Sequence, residues 1–216
     1  MDVTTDIQAW GRYSSLRLFH NKLWVADTLG YKCGPVGIPI PEDGKYIIRP
    51  TYNPEGMGVG ATVANLKKGD VHVGPLGYFW CEFFEGDQYS CDYTWNSQTK
   101  QWGQHSTYRG TKPETNLTRF ELWKKVDKKI DPPSICLEFH QHGITTFNVE
   151  YIEEKAIEIH LRANPNPINY NEMIPIWSDT PVYFVDKLVK EGYIIITAYE
   201  NANEFSNLAR HGFLVK

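Results

Sequence analysis

Residues 144–162 constrain the fold more than any other stretch. Thr146-Phe-Asn-Val-Glu-Tyr-Ile152 and Ala156-Ile-Glu-Ile-His-Leu161 are β-branched and aromatic runs separated by the turn Glu153-Glu-Lys155, so the chain must contain an antiparallel hairpin here. Side chains alternate across a strand. Glu158 and His160 therefore share a face, and Glu150 on the facing strand joins them if it points the same way. Two carboxylates beside an imidazole match the ligand chemistry of Mg²⁺ bridging phosphates. Acidic residues on the outer face of a hairpin also occur simply as solvated charges, and the hairpin by itself leaves both readings open.

A second informative stretch is Lys45-Tyr-Ile-Ile-Arg-Pro-Thr-Tyr-Asn-Pro-Glu-Gly-Met-Gly-Val-Gly-Ala61, where a strand-like run ends in Arg49-Pro50 and opens onto alternating glycines at 56, 58 and 60. Without Cβ atoms such a loop lets backbone N–H groups approach an anion, and Arg49 places a permanent cation at its base. Alternating glycines also make ordinary bulges and turns. The loop lacks the G-K-[ST] ending of a P-loop, and the chain has no G-x-S-x-G elbow.

The remaining pattern predicts a mixed α/β chain. Apolar spacing over 14–30 is compatible with one amphipathic helix, with 21–30 the helical part closed by Gly30. Residues 45–49 read as a strand, and 77–95 as two strands around Glu85-Gly86-Asp87. The polar stretch 96–116 reads as a loop or lid, and 120–123 and 135–139 as short strands. Further on, 184–190 reads as a helix, 193–198 as a strand and 203–210 as a last helix. No repeat or long linker divides the 216 residues.

A net charge of −4 and a pI near 6.0 argue against a nucleic-acid footprint. No apolar run approaches membrane-spanning length and the N-terminus does not read as a signal peptide, which predicts a cytoplasmic protein with no membrane partner. Cys33, Cys81, Cys91 and Cys136 are spread without zinc-site spacing and read as reduced thiols, and Asn116-Leu-Thr118 reads as a chance sequon. The seven Trp, thirteen Tyr and ten Phe fit either a ligand cleft or a well-packed β-rich core.

Four segments between about residues 21 and 162 resemble, in order, those of the ATP-grasp superfamily. Asn21-Lys22-Leu23 with Gly34-Pro35-Val-Gly-Ile-Pro39 resembles its Lys-containing helix and G-x-x-x-P exit. Tyr46-Ile-Ile-Arg-Pro50 with the glycine loop resembles its phosphate-covering strand and loop. Trp80-Cys-Glu-Phe-Phe-Glu-Gly-Asp-Gln-Tyr-Ser-Cys-Asp92 resembles the hinge E-F-I-x-G-x-E-Y-S-V-D. Asn148-Val-Glu-Tyr-Ile152 and Ile157-Glu-Ile-His-Leu-Arg162 resemble the metal-binding V-D-F and E-V-N-P-R strands. The string R-P-x-Y-N-x-x-G-M-G-x-G-A is similar to small ATP-grasp-type proteins of tailed bacteriophages, which would place the protein in a host cytoplasm.

The resemblance implies an α+β fold of two lobes, each with a mostly antiparallel sheet, about 1–95 and about 96–216, with ATP in the cleft between them. It also implies that Lys22 and Arg49 contact phosphates, that Gly56, Met57, Gly58 and Gly60 form the phosphate loop, that Glu82, Phe83 and Phe84 frame adenine, and that Gln88 meets the ribose. Glu150 and Glu158 would hold Mg²⁺. His160 stands where the family has Asn, so it ligates the metal, Asn164 replaces it, or one site is altered. Asn148 replaces a common Arg, leaving Arg162, Arg109 and Lys124 as candidates to stabilise the transferring phosphoryl group, with Arg49 and Arg162 assigned as catalytic. The implied activity is an ATP- and Mg²⁺-dependent carboxylate–amine ligase acting on small molecules through an acyl phosphate. The alternatives are a kinase on the same scaffold, or a nucleotide-binding or structural phage protein without turnover.

Overall fold

In the computed structural model, residues 3, 5–52, 60–113, 117, 119–201 and 210–216 are described. Strands β1 (Cys33–Pro35), β2 (Gly44–Pro50), β3 (Thr62–Leu66) and β4 (Tyr78–Glu82) form one sheet in the order β1-β4-β2-β3. The second sheet is built from β5 (Gln88–Asn96), β6 (Gln101–Thr111), β7 (Leu122–Lys125), β8 (Thr146–Ile152), β9 (Lys155–His160), β10 (Glu172–Trp177), β11 (Ile194–Asn201) and β12 (Arg210–Val215). Its order is β11-β12-β10-β7-β6-β5-β8-β9. All the strand pairs in both sheets are antiparallel, as the resemblance implies. Helices α1 (Asp6–Arg12), α2 (Lys22–Thr28) and α3 (Val182–Lys190) complete the chain. Among the described residues no helix is long and apolar enough to cross a membrane.

Where the sequence reading departs from this architecture, long-range pairing is the reason. Residues 77–95 are two strands, but β4 and β5 belong to different sheets and do not pair. The turn signal at Glu85-Gly86-Asp87 is real, and the turn docks on the distant β8–β9 turn. Asp87 N–H donates to Glu153 Oε1 at 2.8 Å, and Glu153 N–H donates back to Asp87 O at 2.9 Å. Gly86 has φ +127°, and a Cβ there would lie 2.6 Å from Glu153 Cγ, so the close approach requires glycine. The change of sheet thus falls between Glu82 and Gln88.

The stretch read as a loop or lid holds β6, an eleven-residue strand. Its inward residues Ser106 and Tyr108 satisfy polar partners, which removes the apolar alternation that marks a strand. Residues 135–139 are not a strand. They lie in 3₁₀ turns (Ser134–Cys136 and Phe139–His142) that tuck Cys136 and Phe139 under the large sheet. Residues 14–20 form a 3₁₀ helix, and Asn21 starts α2 by accepting from Trp24 N–H at 2.9 Å. The helix predicted over 203–210 falls on 202–209, outside the described residues, and Arg210 opens β12.

The large sheet buries Tyr89, Cys91, Tyr93, Phe147, Val149, Tyr151 and Ile159 on one face, against Ile130, Cys136, Phe139 and Ile144. Each such side chain contributes about 1.5–3 kcal/mol on leaving water. The buried Tyr93 hydroxyl donates to Ile130 O at 2.7 Å and lies 2.9 Å from the Tyr151 hydroxyl, so this apolar layer carries satisfied polar atoms. All four cysteines are free thiols.

Candidate functional site

The opposite face of the same strands is polar. Register partners in an antiparallel pair share a face, and β5, β8 and β9 pair Ser90 with Glu150, Asp92 with Asn148, Glu150 with Glu158, and Asn148 with His160. Ser90, Asp92, Asn148 and His160 are buried, and the Glu150 and Glu158 side chains keep only 26% and 15% exposure. Burial on this scale requires partners. Asn148 Nδ2 donates to Ser90 Oγ at 2.9 Å and Asp92 Oδ1 at 3.2 Å. Asp92 also accepts from Ser106 Oγ and from Asn164 N–H, which pins the segment after β9 to the sheet.

Cations converge on the two glutamates from three directions. Lys22, the first residue of α2, is buried, with Nζ 3.0 Å from Glu158 Oε2. Its N–H donates to Thr51 O, tying the helix start to the end of β2. Arg49 reaches from β2 to the edge of the large sheet, where Nη2 donates to Ile157 O at 3.0 Å. Lys112, just past β6, donates to Gln88 Oε1 at 2.7 Å, and Gln88 Nε2 donates to Glu150 Oε2 at 2.7 Å. Burial pushes the Lys112 ammonium down to about 8.

These charges separate the two carboxyls. Burial and the neighbouring Glu158 charge raise Glu150 above the usual carboxyl range. Burial would raise Glu158 too, but Lys22, His160 and Arg49 outweigh it and hold Glu158 low. His160 Nδ1 lies 3.1 Å from both Asp6 carboxylate oxygens, and Nε2 lies 3.7 Å from Glu158 Oε1 and 4.0 Å from Glu150 Oε1. Burial and the Arg162 charge lower the His160 pKa, but Asp6 and Glu158 together outweigh them, and the result is a raised value. Arg162 Nη2 donates to Asp6 Oδ2 at 2.6 Å, so one carboxylate from α1 holds both cations at the end of β9.

This arrangement fixes a pH dependence. The folded pKa of His160 lies above 6.5, so its stabilising contribution is complete below pH 6.5 and is lost as pH rises through the folded value. Asp6 is depressed, so its contribution is present above 3.8 and lost as pH falls below that. Asp6→Asn is expected to bring the His160 titration below 6.5 in an NMR pH series, since burial then acts with less opposition. An unchanged His160 midpoint would show that Asp6 does not set it.

No protein-family model matches the chain, and no curated protein matches it. Solved structures do. An N5-carboxyaminoimidazole synthetase from Staphylococcus aureus complexed with ADP aligns with 93% of this chain and 68% of its own, at TM-score 0.56 and 12% identity. A carboxyaminoimidazole ribonucleotide synthase from Aspergillus clavatus complexed with ATP aligns over 94% and 70%, at TM-score 0.53 and 10% identity. The Thermus thermophilus N5-carboxyaminoimidazole ribonucleotide synthetase aligns over 94% and 69%, at 0.52 and 10%. The chain has the ATP-grasp fold. It spans about two thirds of the length of each of these structures.

On the ATP-grasp fold the residues singled out from sequence fall into three groups. Lys22, Arg49, Glu150, Glu158, His160 and Arg162 come together on or beside the polar face. Gly56, Met57 and Gly58 lie outside the described residues, while Gly60 is described. Gly60 has φ +80°, and a Cβ there would collide with the Tyr78 hydroxyl, so the start of β3 requires glycine. At the change of sheet, the N–H groups of Glu82 and Phe83 are taken by the carbonyls of Lys32 and Lys45. Phe83 lies under the Lys45 ammonium, and Phe84 packs on Tyr31 beneath Lys155 of β9, so the two rings have separate surroundings.

Gln88 lies between Glu150 and Lys112, joining the Glu150 carboxylate to a cation. Arg109 and Lys124 pair with Asp87 and Glu172 and are register partners of each other. Arg109 also faces Tyr89, on the side of the sheet away from Glu150, so of these three candidates Arg162 is the one beside the polar face. Sequence reasoning missed Lys112 and Asp6. The spacing Tyr108, Gly110, Lys112 carried the first signal, but the stretch was read as a loop. Nothing local marks Asp6, which meets His160 across 154 residues of sequence.

Proposed function

We propose that the protein is an ATP- and Mg²⁺-dependent carboxylate–amine ligase acting on small molecules through an acyl phosphate. The observation that carries this reading is the meeting of Lys22, Arg49 and Lys112 around the Glu150–Glu158 pair, on a fold whose solved relatives were crystallised with ADP and ATP. Among the described residues no three His, Cys, Asp or Glu side chains form a ready metal cage. Mg²⁺ on a nucleotide does not need one, because it is held by one or two carboxylates plus the substrate phosphates. Glu150 and Glu158 fit that demand as paired, largely enclosed oxygen donors, with burial and then the Glu158 charge raising Glu150. When bound there, Mg²⁺ would supply charge neutralisation for the phosphates.

The chain's own groups account for the remaining chemistry. Lys22 and Arg49 bind and orient the β- and γ-phosphates, and the sheet face excludes water from them. The substrate carboxylate oxygen attacks the γ-phosphorus, the bond to the β–γ bridging oxygen breaks, and ADP leaves. The amine nitrogen then attacks the acyl carbon, phosphate departs and a proton is released. Arg162 supplies positive charge beside the transferring group, as does His160 when protonated. His160 Nδ1 is committed to Asp6, so Nε2 is the ring nitrogen that faces the two glutamates, as a counter-charge when protonated or as a metal ligand when neutral.

The test is a coupled ADP assay with Mg·ATP, carboxylates and hydroxylamine, which traps an acyl phosphate as a hydroxamate. ADP formation dependent on a carboxylate, with hydroxamate accumulating, is the expected result. ADP formation with phosphate transferred to a hydroxyl acceptor and no hydroxamate would make the protein a kinase. One observation favours a nucleotide-binding protein without turnover: Asn148, where the resemblance implies an Arg, spends its amide on Ser90 and Asp92 and supplies no cation. That reading predicts nucleotide binding with no ADP formed.

A further inference from the structure

A cavity of about 380 Å³ opens beside the two glutamates, between the N-terminal helices and β9. Its body is apolar and largely aromatic, with Ile7, Trp10, Phe19 and Tyr52 among its walls. Trp10 packs edge-on against Tyr52, with ring centroids 5.6 Å apart, and Asn21 Nδ2 donates to the Tyr52 hydroxyl at 3.0 Å, which holds the wall in place. Ile7, Trp10 and Tyr52 remain 66%, 38% and 43% exposed, a cluster of large apolar side chains left in water at one mouth. The charged groups of the lining gather at one end, where Lys22 lies 3.0 Å from Glu158, His160 lies 3.7 Å from Glu158, and Asp6 lies 3.1 Å from His160. His20 also lines the cavity, and its Nε2 is buried with no hydrogen-bond partner among the described residues.

We propose that this cavity seats the apolar, ring-bearing body of a carboxylic acid whose carboxylate lies at the Lys22–Glu158 end. The proposal rests on the ligase reading and names the class of acid that site takes. An apolar chamber closed at one end by a few charged groups is the usual architecture of a small-molecule site, and about 380 Å³ falls in the size range of such sites. The wall of edge-packed rings favours a flat or aromatic group over a short aliphatic one. At the charged end Lys22 faces the cavity while Asp6 is spent on Arg162 and His160, which selects a carboxylate over an amine once Glu158 is engaged by a cation. That end is also where the acid oxygen must lie to reach a phosphate held by Lys22.

The test is calorimetric binding of 3-phenylpropionate, acetate and 3-phenylpropylamine to the full chain, with and without Mg·ATP. Burying a phenyl group is expected to make 3-phenylpropionate bind at least about tenfold more tightly than acetate, and more tightly than the amine. Trp10→Ala and the cavity-filling Ile7→Trp, each checked for fold by circular dichroism, are expected to weaken the aromatic acid by about tenfold. No preference for the aromatic acid, or affinity untouched by both variants, overturns the proposal. Mg·ATP binding is read in the same titrations, so a protein that binds nucleotide but not the acid loses this inference and keeps the ligase reading. A protein that binds the acid through Trp10 but no nucleotide does the reverse.

Discussion

Glu158→Gln is expected to lower Mg²⁺-dependent ADP formation by about 10²–10³-fold, the scale of losing one preorganised electrostatic group at a reacting centre. The amide keeps the shape of the side chain and can still accept from Lys22, so the fold should persist. The loss is large because Glu158 is the carboxyl kept ionised by Lys22, His160 and Arg49, whereas Glu150 is pushed toward its protonated form. Glu150→Gln is therefore expected to cost less. Full ADP production by Glu158→Gln, under conditions where the parent protein is active, would remove the metal assignment.

Lys22→Met is expected to act on both stability and turnover. The pair it breaks is enclosed, with side-chain exposures of 6% for Lys22 and 15% for Glu158, and removing one partner of a buried pair costs about 3–5 kcal/mol. Arg49 and His160 remain near Glu158 and should hold the loss toward the lower end. Glu158 is then less depressed, so the variant should gain less stability than the parent as pH rises through the usual carboxyl range. Denaturant unfolding across pH 4–8 reads this directly. Parent and variant curves of equal midpoint and shape would show that the Lys22–Glu158 contact carries no stability.

Glu158 and His160 were legible as one face because strand alternation is a rigid rule, whereas Glu150 joins them only through a register shift next to Tyr151 that sets it opposite Glu158 rather than Ile157. Lys22 and Arg49 were reached through motif resemblance, and their convergence on that face depends on how the two sheets meet, which no local pattern encodes. β6 was hidden because its inward side chains are polar or absent, as at Ser106 and Gly110, and it therefore reads like a loop. Lys112 was lost with it. The pairing of Asp6 with His160 and Arg162 brings the first helix to the end of β9, a contact of the kind that only the folded chain reveals. The 77–95 segment shows the same limit from the other side, since its turn chemistry was read correctly while its partner lay at Glu153.

The central claim is that the polar face with its two glutamates binds ATP as its magnesium complex. The most direct measurement is the unfolding midpoint of the full chain with ATP in Mg²⁺ and with ATP in EDTA, for the parent and for Glu158→Gln. A ligand that binds only the folded state at a hundred times its dissociation constant stabilises by about 2.7 kcal/mol. The account predicts a rise in the parent that requires both ATP and Mg²⁺ and that is largely lost in Glu158→Gln. An equal rise in EDTA, or no rise with Mg·ATP, would contradict it.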